Sequence, residues 1–146
     1  MKTTQQGRQS MPTIVVSTEN HKRLTGLAAV AEAHAPEVAS VLSGEMERAR
    51  VVRPETLPAD AVQMGSTVEF RTETGKLRRV TLVYPGDADI AQGRVCILTP
   101  IGAALVGLSP GQSMSWIARD GREHLLTVLK VEPPAPAVSE LASVYV

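Results

Sequence analysis

Side chains able to do chemistry are few and scattered in this chain. His21, His34 and His124 stand in three unrelated contexts, with no spacing that would bring two of them to one metal. Cys96 is the only cysteine, which excludes an intrachain disulfide framework and zinc-type cysteine clusters. Its neighbours Val95, Ile97 and Leu98 predict a buried strand thiol behaving as a small hydrophobe. There is no nucleophile-elbow serine, phosphate-binding loop or dinucleotide fingerprint. Gly102, Gly107 and Gly111 read as backbone punctuation around a short helix and a turn. Glu32 and Glu37 flank a candidate turn that contains His34. Two carboxylates at a protruding tip could hold Mg²⁺, a hard cation that takes oxygen ligands. The alternative is a pair of solvated charges at helix ends. Lys76, Arg78 and Arg79 make a local positive patch, expected on a solvated hairpin end.

The bulk of the chain narrows these options. Lys+Arg and Asp+Glu balance at 15 each, so no global field favours phosphates, and strong independent nucleic-acid binding is not expected. Hydrophobic residues make up 43% of 146, enough to bury a core. No apolar run approaches the ~20 residues needed to span a bilayer. The first ten residues are polar and lack a signal-peptide apolar stretch, and Met11 is an alternative start. These features predict a cytoplasmic monomer with no membrane partner.

The elements that must position the side chains follow from periodicity. Residues 1–11 read as a disordered leader. After the β-branched run Thr13–Val16, Ser17 is a candidate N-cap. Leu24, Leu27, Ala28 and Ala31 then mark one helical face. Pro36 breaks that helix and suits the first turn of another, whose apolar face is Val38, Val41, Leu42, Met46 and Ala49. Glu32, Glu37, Glu45, Glu47, Arg48 and Arg50 are assigned to the exposed sides. Two such helices make an antiparallel hairpin over residues 12–52. From 53 to 132 the pattern changes to strands, at 62–64, 67–71, 79–84, 94–98, 114–117 and 125–131. Thr99 can cap, and Pro100 can open, a helix of about two turns that Gly107 ends. Residues 133–146 form a Pro/Ala-rich tail, expected to be disordered.

Thr99-Pro100-Ile101-Gly102-Ala103-Ala104-Leu105-Val106-Gly107, followed by Pro110-Gly111-Gln112, resembles the carboxy-terminal domain of the Gre-type transcript cleavage factors. With Met64–Phe70 and Arg79–Pro85, the resemblance narrows to the regulator of nucleoside diphosphate kinase (Rnk) family and covers roughly 12–132. It implies an α+β fold: a short helical hairpin, then an FKBP-like, strongly bent antiparallel sheet with one short helix. It also implies a partner, RNA polymerase. In Gre-type proteins the carboxy-terminal domain grips the rim of the secondary channel and the hairpin projects inward. By position the rim contact falls on Thr99, Pro100, Ile101 and Gly102, and the hairpin tip on Glu32, His34 and Glu37. Two positions depart from the cleavage-factor pattern, where Leu98 and Gln112 replace acids.

The resemblance also bears on mechanism. Helices of roughly 15 residues make a hairpin of about 25 Å, shorter than the arms of cleavage factors. Such a tip stops short of a polymerase metal, because coordination requires contact at ~2.0–2.1 Å. The expectation is a non-enzymatic regulator, without cofactor, metal or catalytic residues, that competes with Gre-type factors. One alternative is an active cleavage factor using Glu32 and Glu37. Another is an FKBP-type prolyl isomerase, a reading at odds with a chain whose aromatics are only Phe70, Tyr84, Trp116 and Tyr145.

Overall fold

The structure, a computed structural model, describes residues 11–134. The expected leader and tail lie outside the described residues, apart from Met11, Pro133 and Pro134. Strand β1 (Val15–Ser17) leads directly into helix α1 (Thr18–Ala31). Ser17 caps α1, its Oγ accepting the Asn20 N–H at 3.1 Å. The chain reverses over 32–35 and enters helix α2 (Pro36–Arg48), with Pro36 in the first turn. Leu24, Ala28 and Ala31 of α1 and Ala39, Leu42 and Met46 of α2 are buried, so the apolar stripes pack as a helical hairpin.

Strand β2 (Arg50–Val52) then returns to pair in parallel with β1, closing the base of the hairpin. A second, five-stranded sheet follows. It contains β3 (Thr67–Thr72), β4 (Leu77–Val83), β5 (Arg94–Cys96), β6 (Ser113–Ile117) and β7 (Glu123–Glu132), in the order β5-β4-β3-β7-β6. Helix α3 (Pro100–Leu105) sits between β5 and β6 in sequence. The architecture is α+β, helices followed by a sheet.

Several details differ from the sequence expectations. The sheet is mixed: β5 pairs with β4 in parallel, because the chain crosses back through two 3₁₀ turns instead of a hairpin. Residues 62–64 form no strand. Val62 instead donates its N–H to Leu108 O and accepts from Gly107 N, anchoring the linker to the end of α3. The 94–98 strand ends at Cys96, while α3, with six residues, is the expected helix of about two turns. Cys96 is only half-buried, and its Sγ accepts the Leu98 N–H at 3.2 Å. Glu45 is 4% exposed instead of solvated. Arg48 reaches it with two hydrogen bonds, of 2.8 and 3.2 Å. The same guanidinium donates to the Pro12 carbonyl, so the ion pair ties α2 to the incoming chain.

One hydrophobic core joins the hairpin to the sheet. Ile14, Val16, Leu24, Leu42 and Met46 belong to the same cluster as Val62, Val68, Phe70, Leu82, Leu105 and Leu126. Gly107 makes the junction possible. Its φ is +82°, and a Cβ there would lie 2.6 Å from Ile14 Cβ. A side chain would be strained in that left-handed conformation and would also collide with the first strand.

Candidate functional site

The residues singled out in the sequence converge on the start of α3. Thr99 has extended backbone and caps the helix, its Oγ1 accepting from Gly102 N at 3.1 Å. The same hydroxyl donates to Cys96 O at 2.7 Å. Gly102 is buried, and a Cβ on it would stand 2.2 Å from Cys96 O. Both residues therefore set the helix against the end of β5. The side-chain surface left for a partner is that of Pro100 and Ile101, both half-buried.

These two face different spaces. Pro100 lines a groove of about 920 Å³ together with Leu98, Pro36, Glu37, Val38 and Val41. The groove continues past His34 and along the β6–β7 turn through Ile117 and Arg119. It is therefore bounded by the hairpin turn on one side and the sheet domain on the other. His34 and Glu37 reach it; Glu32 is exposed outside its lining. The walls are apolar, with Val41 47% and Ile117 56% exposed, and Glu37 and Arg119 supply opposite charges. Ile101 lines a second, smaller cavity of about 270 Å³, on the other side, with Phe70, Trp116 and His124.

The hairpin does not stand clear of the sheet domain. Its helices have 14 and 13 residues, about 20 Å of helix at 1.5 Å per residue. Helix α2 contacts α3, and the turn shares a groove with Pro100. Among the described residues, no group of three or more His, Cys, Asp or Glu is placed to hold a metal ion.

Sequence reasoning missed much of this groove. Leu98 stood out only as a departure from an acidic position. Helical periodicity puts Val41 on the apolar face of α2, whereas it is exposed and lines the groove, and Ile117 is the outward residue of a strand whose inward residue is Met114. Alternation could have flagged Ile117, but nothing local pairs it with the hairpin.

Comparison with known proteins gives the family. A family profile described as "Rnk N-terminus" matches residues 12–52. Another, "Transcription elongation factor, GreA/GreB, C-term", matches residues 57–133. The Escherichia coli (strain K12) protein "Regulator of nucleoside diphosphate kinase" is 35% identical over 124 residues, 84% of this chain and 91% of that protein. The chain belongs to the regulator of nucleoside diphosphate kinase family. The "Transcription elongation factor GreA" of Nitratidesulfovibrio vulgaris (strain DSM 19637 / Miyazaki F) is 34% identical over 84 residues, 57% of this chain and 52% of that one. Among solved structures, the "Prokaryotic transcription elongation factor GreA/GreB from Nitrosomonas europaea" superposes with a TM-score of 0.66 and 35% identity. That match covers 82% of this chain and 99% of the other. The family thus joins its own amino-terminal region to a Gre-type carboxy-terminal domain.

Proposed function

We propose that this protein is a transcription regulator that binds RNA polymerase at the rim of the secondary channel and competes there with Gre-type factors, without itself promoting transcript cleavage. The observation that carries this reading is the groove shared by the hairpin turn and the Leu98–Pro100 segment. A partner edge entering it would touch both regions that the family resemblance assigns to polymerase. The groove combines exposed apolar side chains with a charged pair, the composition of an interface with an apolar centre and polar rim.

The short, folded-back hairpin argues for competition over catalysis. Donating a ligand to a metal inside the channel requires an arm that extends well past the gripping domain. Here Glu37 lies in the same groove as Pro100. Glu32 and Glu37 are then solvated acids beside the turn. The hairpin (12–52) acts as a wedge at the entrance, and the sheet domain (53–132) as the grip. The apt binding experiment is a pull-down with core polymerase, repeated with Ile117→Asp and Val41→Asp. Both side chains are substantially exposed, so the variants are expected to fold. Retained binding by both would remove the groove from the interface, and failure of the wild type to bind would remove the partner.

A further inference from the structure

The smaller cavity lies on the face of the five-stranded sheet that carries the core. Along β3 that face reads Val68, Phe70, Thr72; along β4 it reads Leu82, Val80, Arg78. Along β7 and β6 it ends in Leu126 and His124 beside Met114 and Trp116. Helix α3 is only six residues long, and its Ile101 is the helix residue that lines the cavity. Past it, the same face turns from buried aliphatic residues to aromatic and cationic ones.

Two features of this uncovered end point to a ligand. The first is an aromatic pair. Trp116 and His124 are cross-strand partners whose ring centroids lie 5.1 Å apart, tilted by 31°. The imidazole is held by Glu73, at 2.7 Å from Nδ1, while the other Glu73 oxygen accepts the Leu125 N–H at 3.0 Å. Both carboxylate oxygens are thus engaged. The second is an excess of positive charge. Lys76 and Arg78 line the cavity against one acid, Glu73, whose oxygens are taken up by His124 and the Leu125 N–H. Among the described residues neither cation has an acid within salt-bridge distance.

We infer that this cavity is a binding site for a small planar-ring anion of the mononucleotide class, with the ring against Trp116 and the phosphate at Lys76 and Arg78. A flat π-face stacks on an aromatic side chain whatever its exact substituents. A phosphate gains charge-assisted hydrogen bonds from a guanidinium and an ammonium. The volume of about 270 Å³ suits one such unit. Arg78 lies outside the groove assigned to polymerase, so either reading can fail without the other.

Trp116 is the only tryptophan, so its fluorescence reports on this site alone. The full-length protein is titrated with AMP, with adenosine (ring without anion) and with inorganic phosphate (anion without ring). AMP is expected to give a saturable change, weakened by added salt, and each half-ligand to bind about tenfold more weakly or worse. The exposed double variant K76Q/R78Q is expected to keep the wild-type melting temperature and to lose about tenfold in AMP affinity. Absence of a saturable response to AMP would overturn the assignment. So would equal binding of adenosine or of phosphate, or an unchanged affinity in the folded double variant.

Discussion

At the scale of single residues, two charged pairs carry the sharpest expectations. Arg48 donates to Glu45 and to the Pro12 carbonyl, and Glu45 is 4% exposed. Arg48→Ala would leave a nearly buried carboxylate and a carbonyl without their donor. The expected cost is about 2–3 kcal/mol, below that of a fully buried pair because the arginine side chain is 25% exposed. Urea unfolding with an unchanged slope would measure it. Glu73 and His124 form the second pair. The hydrogen bond from His124, then that from the Leu125 N–H, lowers its pKa from the ordinary 4.5 to about 2. A depressed carboxyl pKa contributes stability that is present above about 4.5 and lost as pH falls toward about 2. Glu73→Gln should therefore flatten the acid limb of the stability curve in that window. His124→Gln should raise the Glu73 pKa, read from its carboxyl NMR shift, yet leave it below 4.5 because the Leu125 N–H remains.

At the scale of elements, glycines separate packing from propensity. Gly107→Ala would force a side chain into φ +82° and against Ile14. A loss of roughly 2–4 kcal/mol is expected, for backbone strain plus overpacking. Gly44 lies inside α2 and a Cβ there meets nothing within 4 Å, so Gly44→Ala should stabilise by up to ~1 kcal/mol. Opposite shifts in melting temperature would test both. The same contrast explains what could be read from the sequence. Ser17, Pro36 and Thr99 announced three helix starts because capping and the fixed proline φ act within a few residues. The apolar face of α1 followed from its 3.6-residue period, and that of α2 in part, since Val41 is exposed and Ala39 is buried. The parallel β4–β5 pair did not, since no local pattern separates a crossover through two 3₁₀ turns from a hairpin. Nor did the burial of Glu45, whose donor Arg48 is itself held by the Pro12 carbonyl, 36 residues away in the chain.

At the scale of the whole molecule, the hairpin and the sheet share one core, and their surfaces meet in the groove at Pro100. The sequence indicated both walls, as the turn after α1 and as the segment from Thr99 to Gly102. It could not indicate that they adjoin, because hairpin length alone is compatible with a projecting arm or with one folded back. The side-chain directions at the start of α3 were equally hidden. Four adjacent residues divide into a cap, a packing glycine and two surfaces facing separate cavities. Under the proposed function, regulation would work by occupancy: a wedge meeting polymerase at the rim would exclude another factor without reaching the metal.

The most direct test is transcript cleavage in backtracked polymerase complexes, with a Gre factor held constant and this protein titrated in. The account predicts no shortening of the transcript by this protein alone and progressive loss of Gre-stimulated cleavage, with Ile117→Asp inhibiting only at much higher concentration. Cleavage by this protein alone, abolished by Glu37→Gln, would contradict it, as would Gre activity that is undiminished at saturating protein.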